Sequence, residues 1–183
     1  MNTEHVIAQT DELADGQMKQ VEVNEKTILL VRIDGDYKAY QAECPHHGAP
    51  LAEGCLHEHG LRCPWHQTVF DVRNGNLLEP PALDQLGHYD VRIDGENVIV
   101  ILPGEPVSQT LPPPMVKSDT AKDDRRFVIV GAGAAGLIAA ETLRQEGFRG
   151  KVIVLTKEAQ AGYDRTELSK RYLAKPDLSA PML

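Results

Sequence analysis

"CPHHGAPLAEGCLHEHGLRCPWH", residues 44–66, holds all three cysteines and five of the seven histidines of a 183-residue chain. The ligand candidates fall into two short loops, Cys44-Pro-His46 and Cys63-Pro-Trp-His66, with 16 residues between His46 and Cys63. Each loop offers one thiolate and one imidazole. A zinc finger pairs like with like, Cys-x2-4-Cys followed by His-x3-5-His on a helix, and neither half is present. A mixed pair on each of two β-loops suits a binuclear cluster in which both thiolates hold one iron and both histidines the other, with a structural zinc site as the alternative. An odd cysteine count, in a chain whose N-terminus carries no basic leader followed by an apolar core, also favours metal over a disulfide framework.

On both sides of this stretch, short apolar runs alternate with turn chemistry: "KQVEV" (19–23), "TILLVRIDGDYKAYQ" (27–41), "TVFDVRNGNLLEP" (68–80) and "HYDVRIDGENVIVIL" (88–102). "DGD", "NGN" and "DGE" close tight hairpins because Asp, Asn and Gly tolerate positive φ. Residues 1–103 therefore read as an all-β domain built around the two loops.

The whole arrangement closely resembles the Rieske [2Fe–2S] domain, whose signature Cys-x-His, 15 to 17 residues, Cys-x-x-His is met by Cys44, His46, Cys63 and His66. The resemblance implies that Cys44 and Cys63 bind the buried iron, and His46 and His66 the outer one. High-potential members carry an extra cysteine in each loop, joined as a disulfide, where this chain has Ala49 and Trp65. They also place Ser and Tyr hydroxyls where Thr68 and Phe70 stand. Without the bridge and one donor, the expected potential sits at the low end of the Rieske range, about −150 mV, as in soluble Rieske ferredoxins. Cys55 lies at no ligand spacing and reads as a small buried hydrophobe or a free thiol. His47 reads as solvent-facing, His57 and His59 as a polar turn, and Gln67 departs from the small residue common at its position.

Five of the twelve prolines fall in "PGEPVSQTLPPP" (103–114), and "MVKSDTAKDDRR" (115–126) continues with polar and charged residues. Such a stretch buries little, so residues 104–124 read as a semi-rigid, Pro-rich linker of roughly 20 residues. Residues 125–183 form the second part. Its beginning, "RRFVIVGAGAAGLIAAETLRQEGFRGKVIVLT", reads as strand, glycine turn, amphipathic helix, glycine stop and second strand. Gly131, Gly133 and Gly136 open the helix in the setting where backbone amides approach a pyrophosphate. Glu158, 22 positions after Gly136, is the candidate for the ribose. "GYDRTELSKRYL" (162–173) resembles the Tyr-Asp-Arg-x-x-Leu-Ser-Lys segment of ferredoxin-reductase and apoptosis-inducing-factor-like flavoproteins. That resemblance assigns Arg165 to the FAD phosphates and Lys170 to the flavin ring.

The fold class expected is thus an all-β Rieske iron–sulfur domain followed by an incomplete α/β (Rossmann-type) FAD-binding domain. The resemblance implies a [2Fe–2S] cluster, FAD only if the second domain is completed, and NAD(P)H as the electron donor of the full-length family. Two strands cannot bury both faces of a doubly wound sheet, so the second part reads as a fragment. Two functions stay open: the N-terminal part of an FAD- and NAD(P)H-dependent oxidoreductase, or a stand-alone ferredoxin-like carrier with a non-functional flavoprotein remnant. Whether the chain alone is an enzyme is left undecided between them. Residues 1–103 carry 17 acidic against 7 basic side chains, which argues against nucleic acid as a partner. No run approaches the length of a membrane span, and the cytoplasm is the expected compartment. The redox partner, protein or small acceptor, is not legible.

Overall fold

The computed structural model describes residues 2–103, 111–160, 162–163, 165–169 and 171–174, and divides into two compact units, residues 1–113 and 114–183. In the first unit one antiparallel sheet takes six strands: β1 (Thr3–Gln9), β2 (Gln17–Val23), β3 (Lys26–Ile33), β4 (Asp36–Gln41), β9 (His88–Asp94) and β10 (Asn97–Leu102). Their order is β1-β10-β9-β4-β3-β2. The strands between, β5 (Cys55–His57), β6 (Gly60–Arg62), β7 (Val69–Asp71) and β8 (Leu77–Glu79), make a second, small antiparallel sheet in sequential order. The hairpins turn where left-handed backbone is tolerated. Asp34 and Gly35 have φ of 52° and 81° between β3 and β4, and Gly95 has φ of 60° between β9 and β10. The β2–β3 turn does the same without glycine, at Asn24 and Glu25. β1 lies outside the apolar runs singled out in the sequence, and it is fixed by pairing with β10 at the far end of the unit.

β3 is the strand on which the core is built. Ile28, Leu29, Leu30 and Val31 are all fully buried, so both of its faces are covered. By the two-residue period of a strand, Leu29, Val31 and Ile33 share one cluster with Tyr40, Leu51, Leu61, Phe70, Val72 and Leu86, and both Cys44 and Cys63 belong to it. Ile28 and Leu30 pack into the clusters on the opposite face. Each such buried aliphatic side chain contributes about 2 kcal/mol of transfer free energy. Tyr40 ties the sheets together, its hydroxyl donating to the Val72 carbonyl at 2.8 Å.

The expected linker is shared out between the units where it is described. Leu111 and Pro112 accept hydrogen bonds from Gln85, at 2.7 Å from its backbone N–H and 3.2 Å from its side-chain amide. Val116 and Asp119 donate to Arg144 and Arg149 of the second unit. That unit holds a parallel pair, β11 (Arg126–Val130) and β12 (Lys151–Leu155), joined through α1 (Ala134–Gln145), which ends at Gly147 with φ of 84°. Phe148 is buried edge-on against Phe127, with ring centroids 4.8 Å apart. Downstream, the segment singled out in the sequence forms a 3-10 turn, Arg165–Ser169, and a four-residue α2 (Arg171–Ala174).

Candidate metal centre

The two loops have the same skeleton. In the first, between β4 and β5, Cys44 N–H donates to the Ala49 carbonyl at 2.8 Å; in the second, between β6 and β7, Cys63 N–H donates to the Thr68 carbonyl at 2.8 Å. Each loop is therefore closed by a bond from the cysteine to the fifth residue beyond it. In each, the fourth residue beyond is left-handed: Gly48 at φ 73° and Gln67 at φ 66°. The departure at Gln67 therefore falls at a turn that requires a conformation that glycine adopts freely and glutamine does not. Pro45 and Pro64 follow the cysteines and fix φ.

The loops bring all four expected ligands to one end of the small sheet. Cys44 and Cys63 are 2% and 1% exposed, and their thiols are close enough to influence one another electrostatically. Above them the imidazoles of His46 and His66 meet edge to face with centroids 4.7 Å apart, His46 half-buried and His66 exposed. Among the described residues no three His, Cys, Asp or Glu side chains converge on a single ion-sized point. The donors are arranged as a thiol pair and an imidazole pair. Burial pushes the Cys44 thiol up to about 12, with the neighbouring Cys63 acting in the same direction, while the backbone N–H groups of His46 and His47 donate to its sulfur and oppose the rise. Two thiolates at this depth call for the positive charge of metal, and the neutral imidazoles on the exposed side add no negative charge. The donor set fits a mixed-ligated [2Fe–2S] cluster.

The bystanders differ in part from their sequence readings. His47 lies against the ligand candidates instead of pointing into solvent, its ring centroid 4.2 Å from that of His46 and 5.5 Å from that of His66, tilted to both. Cys55 is an exposed free thiol on β5, not a buried hydrophobe. His57 and His59 flank the β5–β6 turn, where His59 Nε2 lies 3.0 Å from an Asp34 carboxylate oxygen. Ala49 is buried and Trp65 is 55% exposed. Thr68 is fully buried, its hydroxyl accepting the Ala82 N–H at 3.1 Å, and Phe70 is fully buried with no polar atom to offer. The sequence reading missed Arg62, whose guanidinium reaches the second loop; its place directly before Cys63 was the available signal.

In the second unit Gly131 N–H donates to the Leu155 carbonyl at 2.7 Å, Gly133 caps α1, and a Cβ on Gly136 would lie 2.0 Å from the Gly131 carbonyl oxygen. The third glycine is thus demanded by backbone packing at the turn. The Glu158 carboxylate accepts from the Tyr163 hydroxyl at 3.0 Å and from Arg165 Nη2, so two of the candidate FAD residues are joined to each other. Lys170 lies outside the described residues.

A pair of Cys/His loops over a small antiparallel sheet, beside a six-stranded sheet, defines an iron–sulfur protein of the Rieske type. Residues 3–90 match the Rieske [2Fe-2S] domain, and residues 126–170 match an FAD binding domain. The chain is 38% identical over 179 residues to apoptosis-inducing factor 3 of Mus musculus, covering 95% of this chain and 30% of that protein. It is 34% identical over 95 residues to the ferredoxin component of the alkene monooxygenase system of Xanthobacter autotrophicus, covering 51% of this chain and 77% of that one. The solved ferredoxin of carbazole 1,9a-dioxygenase from Nocardioides aromaticivorans superposes with a TM-score of 0.51 at 30% identity, over 54% of this chain and 96% of the ferredoxin. The chain belongs to the Rieske [2Fe–2S] family, carries after that domain a stretch that matches an FAD binding domain, and spans under a third of the length of the apoptosis-inducing factor 3 relatives.

Proposed function

We propose that Cys44, His46, Cys63 and His66 hold a [2Fe–2S] cluster and that the chain passes electrons as the N-terminal part of an FAD- and NAD(P)H-dependent oxidoreductase. The observation that carries the ligand assignment is the buried thiol pair beneath the edge-to-face imidazole pair. When bound, the cluster supplies a one-electron centre. The protein's own part is to keep the thiols dry, to donate backbone N–H bonds to sulfur, and to present the histidine side to a partner. The flavin assignment draws on the glycine turn, the FAD-binding match and the alignment with apoptosis-inducing factor 3 across both units. Residues 1–103, 104–124 and 125–183 then serve as cluster domain, linker and start of the flavin domain. Gly131, Gly133 and Gly136 receive the dinucleotide phosphates, Arg165 neutralises them, Glu158 takes the ribose, and Lys170 stands at the flavin ring.

A second reading, a ferredoxin-like carrier in its own right, is favoured by the match of the first unit alone to nearly the whole length of a solved ferredoxin. Its partner is a reductase or an oxygenase that docks at the histidine end. Among the described residues no helix is long and apolar enough to cross a membrane, and we place the protein in the cytoplasm, as the sequence reading does. Electron paramagnetic resonance of the dithionite-reduced, anaerobically purified chain tests the cluster: the low average g-value of mixed His/Cys ligation is expected, and bound zinc without iron overturns the assignment.

A further inference from the structure

We propose that Arg62 is the positioning residue for His66, acting through the carbonyl of Gln67. The inference rests on the reading that His66 is a cluster ligand. The first loop keeps its left-handed fourth residue at no steric expense, because Gly48 stands there, and Gly48 N–H donates back to the Cys44 carbonyl at 2.8 Å. The second loop needs the same conformation from Gln67, where a side chain opposes it. Gln67 is exposed, and among the described residues its own amide reaches the Pro64 carbonyl alone, at 3.5 Å, so its packing does little to hold the turn.

Arg62 supplies the restraint from outside the loop. It ends β6 directly before Cys63, and its Nη1 donates to the Gln67 carbonyl at 3.2 Å while Nη2 lies 3.5 Å from a Glu79 carboxylate oxygen on β8. One planar fork thereby ties the peptide that follows Gln67 to the strands on either side of β7. A guanidinium suits this because it can donate in two directions at once from a fixed plane, which an ammonium on a flexible stem does not reproduce. Held at its carbonyl, Gln67 cannot relax to a right-handed conformation, and the backbone of His66 is held with it. His66 gains little from burial, so its ring direction depends on this backbone. At the matching place before Cys44 the first loop has Glu43, whose carbonyl accepts from the Gln41 side chain. With glycine already in the turn, no cation is needed there.

The test uses the 183-residue chain as wild type, Arg62→Ala, Arg62→Lys, Gln67→Gly and the Arg62→Ala/Gln67→Gly double variant, all loaded with iron and sulfide. Two quantities are read: the rate of iron release to a ferrous chelator, and the spread of g-values in the reduced state. Arg62→Ala is expected to release iron about fivefold faster, the equivalent of losing a bond of about 1 kcal/mol, and to broaden the spectrum, with Arg62→Lys intermediate. In the Gln67→Gly background the same Arg62→Ala change is expected to alter release by less than about twofold, since glycine takes the turn unaided. An equal effect in both backgrounds, or unchanged release and spectrum in Arg62→Ala, overturns the proposal. A wild-type chain that binds no iron removes the ligand reading itself, and this inference with it.

Discussion

At the scale of single residues the division between ligand and bystander is sharp enough to test by substitution. Cys44→Ser, His46→Ala, Cys63→Ser and His66→Ala are each expected to abolish bound iron, because the four donors meet at one end of the small sheet and burial leaves a lone thiolate without compensation. Cys55→Ser is expected to keep full iron content, since that thiol is exposed on β5; iron and sulfide per chain decide both. The four candidate donors could be singled out because ligand spacing is a property of the chain itself. His47 could not be, because its contact with His46 and His66 depends on how the two loops face one another. Gln67 was legible as a departure but not as a left-handed residue, since its φ depends on how the loop is closed and held, through the Cys63–Thr68 bond and the Arg62 contact.

At the scale of elements, the small sheet is held by backbone approach and by one acidic turn. A Cβ at Gly54 would stand 2.4 Å from the Arg62 carbonyl oxygen and 3.0 Å from that of Leu51, and backbone atoms cannot yield as a flexible side chain can. Gly54→Ala is therefore expected to lower stability by about 2 kcal/mol in denaturant unfolding and to weaken iron retention, because it displaces the residue before Cys63. Gly16→Ala, with open space around it and φ of 76°, is the control and should lose only about 1 kcal/mol. The β7–β8 turn depends on Asp71, whose carboxylate is nearly buried and accepts from the Arg73 backbone N–H at 2.9 Å and from its guanidinium at 3.0 and 2.6 Å. The Arg73 hydrogen bond holds the carboxyl below its ordinary 3.8, against the opposing effect of burial. A depressed folded value stabilises the protein above the unfolded value and is lost as pH falls through the folded one. Thermal melts are thus expected to show an acid-side loss of stability below about pH 4 that Asp71→Asn removes, the variant being less stable at neutral pH. The hairpins around "DGD" and "DGE" were legible from local turn chemistry, whereas β1 was not, since only its distant partner β10 defines it.

At the scale of the whole molecule the two units differ in how much surface they cover. The first buries a continuous core around β3. In the second, Val128, Val130 and Leu155 on the parallel pair are 57%, 84% and 51% exposed, although parallel sheets are ordinarily covered on both faces. Ordering a dinucleotide site on such a base costs about 1 kcal/mol or more per residue with little burial to offset it. The 183-residue chain is accordingly expected to hold no stoichiometric FAD and to leave NADH and NADPH unoxidised, while its iron centre still accepts an electron from dithionite. Flavin titration and NADH absorbance check this, and tight flavin binding would mean that another chain completes the sheet. The glycine turn and its strands were legible as a local pattern, but the exposure of their faces is a property of what packs on them and had no local signal. The difference in burial between thiols and imidazoles gives the proposed centre a polarity. Electron tunnelling weakens steeply with the thickness of protein crossed, so a current through such a centre would have its front door on the side where His66 and Trp65 are exposed and its insulation over the buried thiols.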